Sequence, residues 1–234
     1  MRVDGKNTAR IENTDAWVLC IQDLAKDIDE KTREYIKWGE KVGFNNRSVT
    51  LNQKPWFKPT RQMLRSSQLL MPRSYNDSYT IYYNPNEFIS LRFYRLYPKK
   101  PINILALLGI LNSTYFGLFL EIYGTGSLGL GALDVTMAGL LRIKIPNFTK
   151  LEKQLEHKFK EMMKRYIKSI YEELRIDPAK PIREQEPKPL QDRANLDKVI
   201  FDFLGLNEEE RKEVYWSLCE LVKQRLDKAG SLRE

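Results

Sequence analysis

Residues 102–123 read INILALLGILNSTYFGLFLEIY, the most apolar run in a chain of 234 residues. The run approaches the roughly 20 residues that a membrane-spanning helix needs, but polar residues at 103 and 112–114 and glycines at 109 and 117 interrupt it. A helix buried in a protein core tolerates such residues when they find hydrogen-bond partners. The run therefore predicts one buried helix around which a domain packs, and no membrane partner.

Short strand-like pieces precede this helix. Prolines punctuate residues 44–101 and leave two such pieces, at 79–83 and 89–97. In the second piece, apolar residues at every other position alternate with polar or aromatic ones. Because alternate strand residues point to opposite faces, Arg92 and Tyr94 are predicted to lie on a solvated or ligand-facing surface.

The flanking segments are predicted to be mostly helical. Residues 15–38 carry apolar side chains at three- and four-residue spacing, which is typical of an amphipathic helix. Residues 141–145 alternate as a half-buried strand, and Thr149 with Glu152 forms a capping box that opens a long amphipathic helix. The predicted fold class is α+β: a mixed or antiparallel β-rich domain with a buried helix, followed by a long helix and a small helical tail. Its predicted divisions are an N-terminal helical segment (1–43), the β-rich domain (44–148), the long helix (149–175), an extended proline-rich linker (176–194) and a C-terminal helical hairpin (195–234).

The positive charge of the chain is concentrated in one segment. The formal net charge is +8. Residues 1–50 and 151–234 each sum to zero, whereas 51–105 hold nine basic and two acidic side chains together with ten aromatic ones. Cations can contact phosphates and flat rings can stack on bases or sugars. The segment therefore predicts a nucleic-acid-binding surface.

Residue types that carry common catalytic chemistry are scarce. His157 is the single histidine, so neither a histidine-based triad nor a histidine metal cluster can form. Cys20 and Cys219 match no disulfide or zinc spacing, which, with no secretory signal at the start, favours a reducing, cytoplasmic compartment. Most carboxylates fall on predicted helix faces beside Lys and Arg and are interpreted as solvated surface. The sequence indicates binding rather than catalysis.

Residues 124–129 contain the spacing G-x-G-x-x-G. A dinucleotide site places this motif between a strand and a helix, with an acidic residue about 20 positions later. Here the motif follows the predicted buried helix, and no acidic residue stands at the later positions. The segment is interpreted as a flexible loop whose backbone passes close to a partner such as a DNA phosphate.

Three strings stand in order along the chain: LLGILNSTYF (107–116), YGTGSLGLGAL (123–133) and LLRIKIP (140–146). Further pieces are YIKWGE (35–40), PWF (55–57), IYYN (81–84) and NLDKVIFDFLGL (195–206). Together they resemble the target-recognition region of type II adenine-specific DNA methyltransferases of restriction–modification systems. The Asn/Asp-Pro-Pro-Tyr/Phe catalytic loop and the S-adenosylmethionine motif of that family are not in this sequence.

The resemblance implies that this chain is the specificity half of such an enzyme. In that family the catalytic domain binds S-adenosylmethionine and methylates a flipped-out adenine. This half is therefore expected to hold no cofactor, to act with a methyltransferase catalytic domain in cis or in trans, and to bind double-stranded DNA. Phosphate contacts are predicted for Lys54, Lys58, Arg61, Arg65, Arg73, Lys99 and Lys100. Base-edge contacts are predicted for Asn76, Asn84, Arg92 and Tyr94, since Arg fits guanine and Asn fits adenine; Trp56 and Tyr83 complete the DNA-binding set.

Three other interpretations stay open. The chain also resembles, over residues 133–146, a half specificity subunit of a type I restriction system, with the long helix as spacer. A second alternative is a protein-interaction scaffold whose helices recruit a partner and whose basic patch only aids solubility. The third is an enzyme in its own right, for which binding of S-adenosylmethionine to this chain alone is the criterion.

Overall fold

The fold is described from a computed structural model. The structure describes residues 9–11, 20–21, 28–90, 92–126 and 131–231. The helices are α1 (Glu30–Lys41), α2 (Ile104–Leu111), α3 (Thr114–Tyr123), α4 (Met137–Leu140), α5 (Glu152–Met162), α6 (Ile170–Leu174), α7 (Gln191–Leu204) and α8 (Glu208–Ser231). The strands are β1 (Leu69–Pro72), β2 (Ser74–Tyr75), β3 (Tyr82–Tyr83), β4 (Phe93–Leu96), β5 (Thr125–Gly126) and β6 (Leu133–Asp134). Together these elements confirm the predicted α+β class.

The apolar run at the centre of the chain forms two helices rather than the single predicted one. α2 ends at Leu111, α3 begins at Thr114 with Ser113 as its N-cap, and the two axes are bent by 61°. The side chain of Asn112 is buried and exchanges two 3.0 Å hydrogen bonds with the backbone N–H and carbonyl of Ile81. Because a buried amide must find such partners, it interrupts the helix and ties it to the strand region.

The two central helices are covered on both sides, as the prediction of a buried run requires. α2 packs on α5, and α3 packs on α8. Leu108, Leu120, Phe159 and Leu218, one from each of these helices, are fully buried. Among the described residues no single helix is long and apolar enough to cross a membrane; α2 and α3 meet that test only as a bent pair.

Two small antiparallel sheets lie beside these helices. In the first sheet β1 pairs with β3 and β4, and in the second β6 lies between β2 and β5. Arg73 is the single residue between β1 and β2, so the chain passes there directly from the first sheet to the second. The strands predicted at 79–83 and 89–97 are shorter than expected, at Tyr82–Tyr83 and Phe93–Leu96. At Ile81 the side chain of Asn112 bonds the backbone in place of a partner strand.

The strand predicted at 141–145 is wrong. After α4 the N–H groups of Arg142 and Ile143 donate to the carbonyls of Gly139 and Leu140, which makes a turn. Only Ile143 packs on the core, whereas Leu141 is 82% exposed. The alternation therefore reflects one inward-facing residue of a loop.

The helix predicted over 149–175 is interrupted. α5 ends at Met162, and α6 begins at Ile170 behind an N-cap at Ser169. The predicted capping box is also wrong, because Leu151 is the N-cap residue of α5 and the Thr149 hydroxyl donates to Asn147 Oδ1 at 2.7 Å. Apolar residues keep helical spacing through the interruption, but the backbone between α5 and α6 is not helical.

A largely buried ion network lies at that interruption. Arg165 donates to both oxygens of Glu173 at 2.5 and 2.8 Å and to Asp192 at 2.6 and 2.9 Å. Arg193 donates to Glu173 at 3.0 Å and to the Asn112 carbonyl at 2.7 Å. Burial alone would raise the pKa of Glu173, but the hydrogen bonds from Arg165 and the charge of Arg193 hold it below its ordinary value. The interpretation of the carboxylates as solvated surface is wrong here.

The proline-rich segment packs against the helices instead of extending into solvent. The N–H groups of Lys188 and Leu190 donate to the carbonyls of Leu174 and Glu173 at 3.0 and 2.8 Å. The Trp216 indole N–H donates to the Gln185 carbonyl at 2.8 Å. The predicted closing helices are present as α7 and α8, which begin at Gln191 and Glu208.

Candidate nucleic-acid interface

Eight exposed cations, which we call the basic surface, occupy the segment predicted to bind nucleic acid. They are Lys54, Lys58, Arg61, Arg65, Arg73, Arg92, Lys99 and Lys100. Among the described residues from 28 to 120, no Lys or Arg lies within 4.0 Å of a carboxylate oxygen. The guanidinium of Arg65 instead lies 4.8 Å from the Tyr97 ring centre, and that of Arg73 lies 5.0 Å from the Tyr94 ring centre. A cation without a carboxylate keeps its field available to a polyanion.

The C-terminal half differs sharply in this respect. Twelve of the seventeen Lys and Arg residues between 152 and 231 form an ion pair. Examples are Arg183 with Glu213 at 2.8 Å and Lys198 with Asp202 at 2.6 Å. The described cations from 28 to 120 therefore all lack an ion pair, whereas only five of the seventeen between 152 and 231 do.

Arg73 and Arg92 flank an open cleft where the two sheets meet. Arg73 lies between β1 and β2, and Arg92 lies directly before β4, which pairs with β1. Pro72, Ser74 and Phe93 complete the lining of the cleft. Two forked guanidinium groups at one open cleft are suited to a guanine edge or to a pair of phosphates.

Two predicted tyrosines are half-buried. The Tyr94 hydroxyl donates to the Val135 carbonyl at 3.1 Å, and its ring lies under Arg73. Tyr83 lies in β3, where its N–H donates to the Ala9 carbonyl and its carbonyl accepts from Ile11. Tyr94 therefore supports Arg73, and its prediction as part of a solvated or ligand-facing surface stays a prediction.

The two predicted asparagines have different surroundings. Asn84 is fully buried; its Nδ2 donates to the carbonyls of Ser67 and Phe88 at 2.9 Å, and its Oδ1 accepts from the Phe88 N–H. It cannot reach a base edge, so its predicted role is wrong, and it instead holds the loop at 84–88. Asn76 is exposed directly after β2, beside Asp77.

Trp56 packs against α1. Its ring contacts Phe44 and Phe57, and its indole N–H lies 3.4 Å from Glu40 Oε1. Gly39 leaves the space for this ring, since a Cβ there would lie 2.6 Å from it. The helix predicted over 15–38 begins at Glu30 and continues to Lys41. Positions 20, 21, 28 and 29 are not helical, and the rest of the earlier part of the prediction lies outside the described residues.

α1 adds features that the charge count missed. Tyr35 and Trp38 stack at 5.5 Å, and each is about half exposed. The helix also carries exposed cations without an ion pair: Lys31, Arg33, Lys37 and Lys41. The zero net charge of residues 1–50 gave no sign of these cations, because five of the nine acidic residues in that segment precede position 28.

Arg95 lies in the basic segment 51–105, but its side chain holds a loop in place. Its Nη1 donates to the carbonyls of Gln62, Met63 and Arg65 at 2.8, 3.1 and 3.0 Å. It thereby holds the loop that carries Arg61 and Arg65 against β4. No local pattern distinguishes such a clamp from a solvated cation.

The described residues contain no cluster of His, Cys, Asp and Glu side chains that could hold a metal ion. His157, on α5, has a side chain 67% exposed, as expected for solvated helix surface. The glycine-rich segment follows α3, and its described ends, Gly126 and Gly131, lead into and out of an antiparallel sheet. That arrangement does not fit a dinucleotide or S-adenosylmethionine loop, which lies between a strand and a helix.

Comparisons with known proteins agree with this architecture. The model of the family "Type II methyltransferase M.Eco57I, C-terminal domain" matches residues 4–176. The crystal structure of the type IIG restriction endonuclease BpuSI superimposes with a TM-score of 0.57 at 18% identity, over 98% of this chain and 26% of that chain. At that identity the likeness concerns the fold, and this chain spans about a quarter of the length of the endonuclease. A comparison with curated proteins gives no match. Since the family model covers well over half of the residues, the chain belongs to the family of type II methyltransferase C-terminal domains represented by M.Eco57I.

Proposed function

We propose that this chain is the DNA-recognition half of an adenine-specific type II methyltransferase and binds double-stranded DNA through the basic surface. One observation carries the proposal: the cations of this surface lack carboxylate partners, whereas most cations of the C-terminal half have them. Phosphate binding requires cations whose field is not already neutralised. The contrast within one chain supports a site that faces DNA.

Different parts of the basic surface take different roles. Arg73 and Arg92, at the cleft between the sheets, contact base edges, and exposed Asn76 is placed close enough in sequence to assist them. The remaining cations contact phosphates and fix the register of the duplex: Lys54, Lys58, Arg61, Arg65, Lys99 and Lys100. Tyr94 supports Arg73 from beneath its guanidinium, and Trp56 and Tyr83 complete the proposed DNA-binding set.

The methyl-transfer chemistry belongs to a catalytic domain outside this chain. The family description and the quarter-length coverage of the endonuclease support this division. In our proposal that domain, in the same protein or in a separate one, binds S-adenosylmethionine, and this half holds the duplex while adenine is flipped. We give the glycine-rich segment no part in cofactor binding, because its described ends adjoin β5 and β6 of an antiparallel sheet.

The type II family match favours this function over a type I specificity subunit. Fluorescence anisotropy with a labelled duplex of 25 base pairs, titrated with the chain between about 50 and 200 mM salt, tests it. We expect saturable binding whose affinity falls by roughly 10³-fold or more over that range if six or more phosphates are contacted. Absence of binding at low salt would favour the scaffold interpretation, and S-adenosylmethionine binding to this chain alone, measured by calorimetry, would favour the enzyme interpretation.

A further inference from the structure

The side chain of Arg225 joins three distant parts of the chain. Arg225 lies on α8, and its side chain is 7% exposed. Its Nε and Nη2 donate to the Glu121 carboxylate at 3.2 and 2.7 Å. Nη1 also donates to the Gly131 carbonyl, and Nη2 donates to the Asn76 carbonyl at 2.5 Å. The Glu121 carboxylate, 3% exposed, accepts a further hydrogen bond from the Tyr79 hydroxyl.

Each contact of Arg225 anchors one strand of the second sheet. Asn76 directly follows β2, Glu121 lies in α3 shortly before β5, and Gly131 lies shortly before β6. These strands are only two residues long and therefore have few ladder hydrogen bonds of their own. Because a buried, forked guanidinium has fixed donor directions, its position restricts all three strand ends together.

The same sheet helps to place Arg73, whose neighbour Pro72 pairs with Phe93 in the first sheet. The Arg73 carbonyl accepts from the Val135 N–H at 2.8 Å, and Val135 directly follows β6. The Val135 carbonyl in turn accepts from Tyr94, whose ring lies under the Arg73 guanidinium. Arg92, by contrast, precedes β4 of the first sheet. A shift of β2 and β6 would therefore disturb the backbone hydrogen bond of Arg73 and the ring beneath its guanidinium, and so change how this guanidinium is placed relative to Arg92.

We propose that Arg225 and Glu121 are positioning residues for DNA sequence discrimination. In this inference the buried pair between α8 and α3 fixes Arg73 and Asn76 relative to Arg92, although neither member of the pair touches DNA. The inference rests on the proposed function. Base readout depends on geometry to a fraction of an ångström, whereas phosphate contacts tolerate small shifts. Loss of the pair should therefore reduce discrimination and leave the electrostatic part of binding in place.

The test compares variants of this chain on two duplexes. The wild-type chain first selects a preferred sequence from a pool of random duplexes, and Kd is then measured for that sequence and for a scrambled one. The variants are E121M/R225M, which replaces both charges by apolar side chains of similar length, and E121Q, which keeps the shape and the Tyr79 hydrogen bond. R183M is the matched control, because Arg183 makes exposed ion pairs with Glu213 and Glu220 on the same helix α8.

We expect the ratio of Kd for the scrambled duplex to Kd for the preferred duplex to fall at least about tenfold in E121M/R225M. It should fall less in E121Q and stay at the wild-type value in R183M. The salt slope should stay unchanged in all three, circular dichroism checks folding, and titration at a duplex concentration far above Kd gives the fraction of each protein able to bind DNA. A lower folded fraction raises the apparent Kd for both duplexes by the same factor and therefore leaves the ratio of the two Kd values unchanged. If E121M/R225M does not fold, E121Q decides.

An unchanged ratio in folded variants overturns the inference, as does a wild-type chain that binds duplexes without preference; both leave DNA binding itself standing. A wild-type chain that binds no duplex overturns the proposed function.

Discussion

Neutralising two neighbouring lysines tests whether the basic surface contacts phosphates. Lys99 and Lys100 are exposed after β4 and have no ion pair. Lys158 and Lys160, on α5, are paired with Glu161 at 3.4 Å and with Glu156 at 2.5 Å. The variants K99A/K100A and K158A/K160A lower the net charge by the same amount. Any difference between them reports position rather than total charge.

The expected size of the effect follows from counterion release. Each phosphate contact adds about 0.9 to the slope of log K against log salt, so K99A/K100A should flatten the slope by about 1.8. Over a fourfold change in salt, from about 50 to 200 mM, the variant should then lose roughly twelvefold less affinity than the wild type. K158A/K160A should keep the wild-type slope, because its lysines already face carboxylates.

Anisotropy titrations at four or five salt concentrations, with one duplex for all three proteins, measure these slopes. An unchanged slope in K99A/K100A would remove both lysines from the interface. Equal flattening in both double variants would mean that the duplex responds to the overall charge and that the basic surface is not a defined site.

Three further predictions concern residues that the structure assigns to support. N84A leaves the backbone groups of Ser67 and Phe88 without partners and should lower the free energy of unfolding by about 2–4 kcal/mol in urea titrations. The folded variant should keep the wild-type Kd for DNA. Weaker DNA binding without a loss of stability would instead indicate that Asn84 contacts DNA. E173Q breaks a buried pair and should lower the free energy of unfolding by about 3–5 kcal/mol at neutral pH. Because the folded pKa of Glu173 is lowered, its stabilising contribution is present above the unfolded pKa and disappears as pH falls. The difference in unfolding free energy between wild type and E173Q should therefore narrow below about pH 4, and a difference independent of pH would contradict this sign. R95M releases three carbonyls of the loop at 62–65, so hydrogen exchange should accelerate there and not in α5; equal rates would show that the clamp is dispensable.

The sequence located the basic surface because charge counted by segment does not depend on how the segments pack. All eight proposed cations are exposed, as a surface role requires. The helix break at Asn112 and Ser113 was also within reach, since both residue types favour N-caps. The prediction of a strand at 141–145 was wrong, because the alternating apolar residues there belong to a loop in which only Ile143 packs on the core.

Long-range contacts account for what sequence reasoning missed. The sequence alone did not distinguish buried Asn84 from exposed Asn76, because Asn84 bonds Ser67, 17 positions away, as well as nearby Phe88. Arg225 meets the Asn76 carbonyl across 149 positions. Glu173 has the spacing of a solvated helix residue and is buried because two arginines converge on it. Such roles depend on tertiary contacts that no window of sequence contains.

Lysine protection by DNA tests the central claim most directly. The chain is reductively methylated with and without a duplex of 25 base pairs at about 100 mM salt, where binding is still electrostatically favoured, and modification at each lysine is read by mass spectrometry. We expect the duplex to protect Lys54, Lys58, Lys99 and Lys100 and to leave the exposed, ion-paired Lys180 and Lys198 as reactive as before. Equal protection of both groups, or protection of Lys180 and Lys198 alone, would contradict DNA binding by the basic surface.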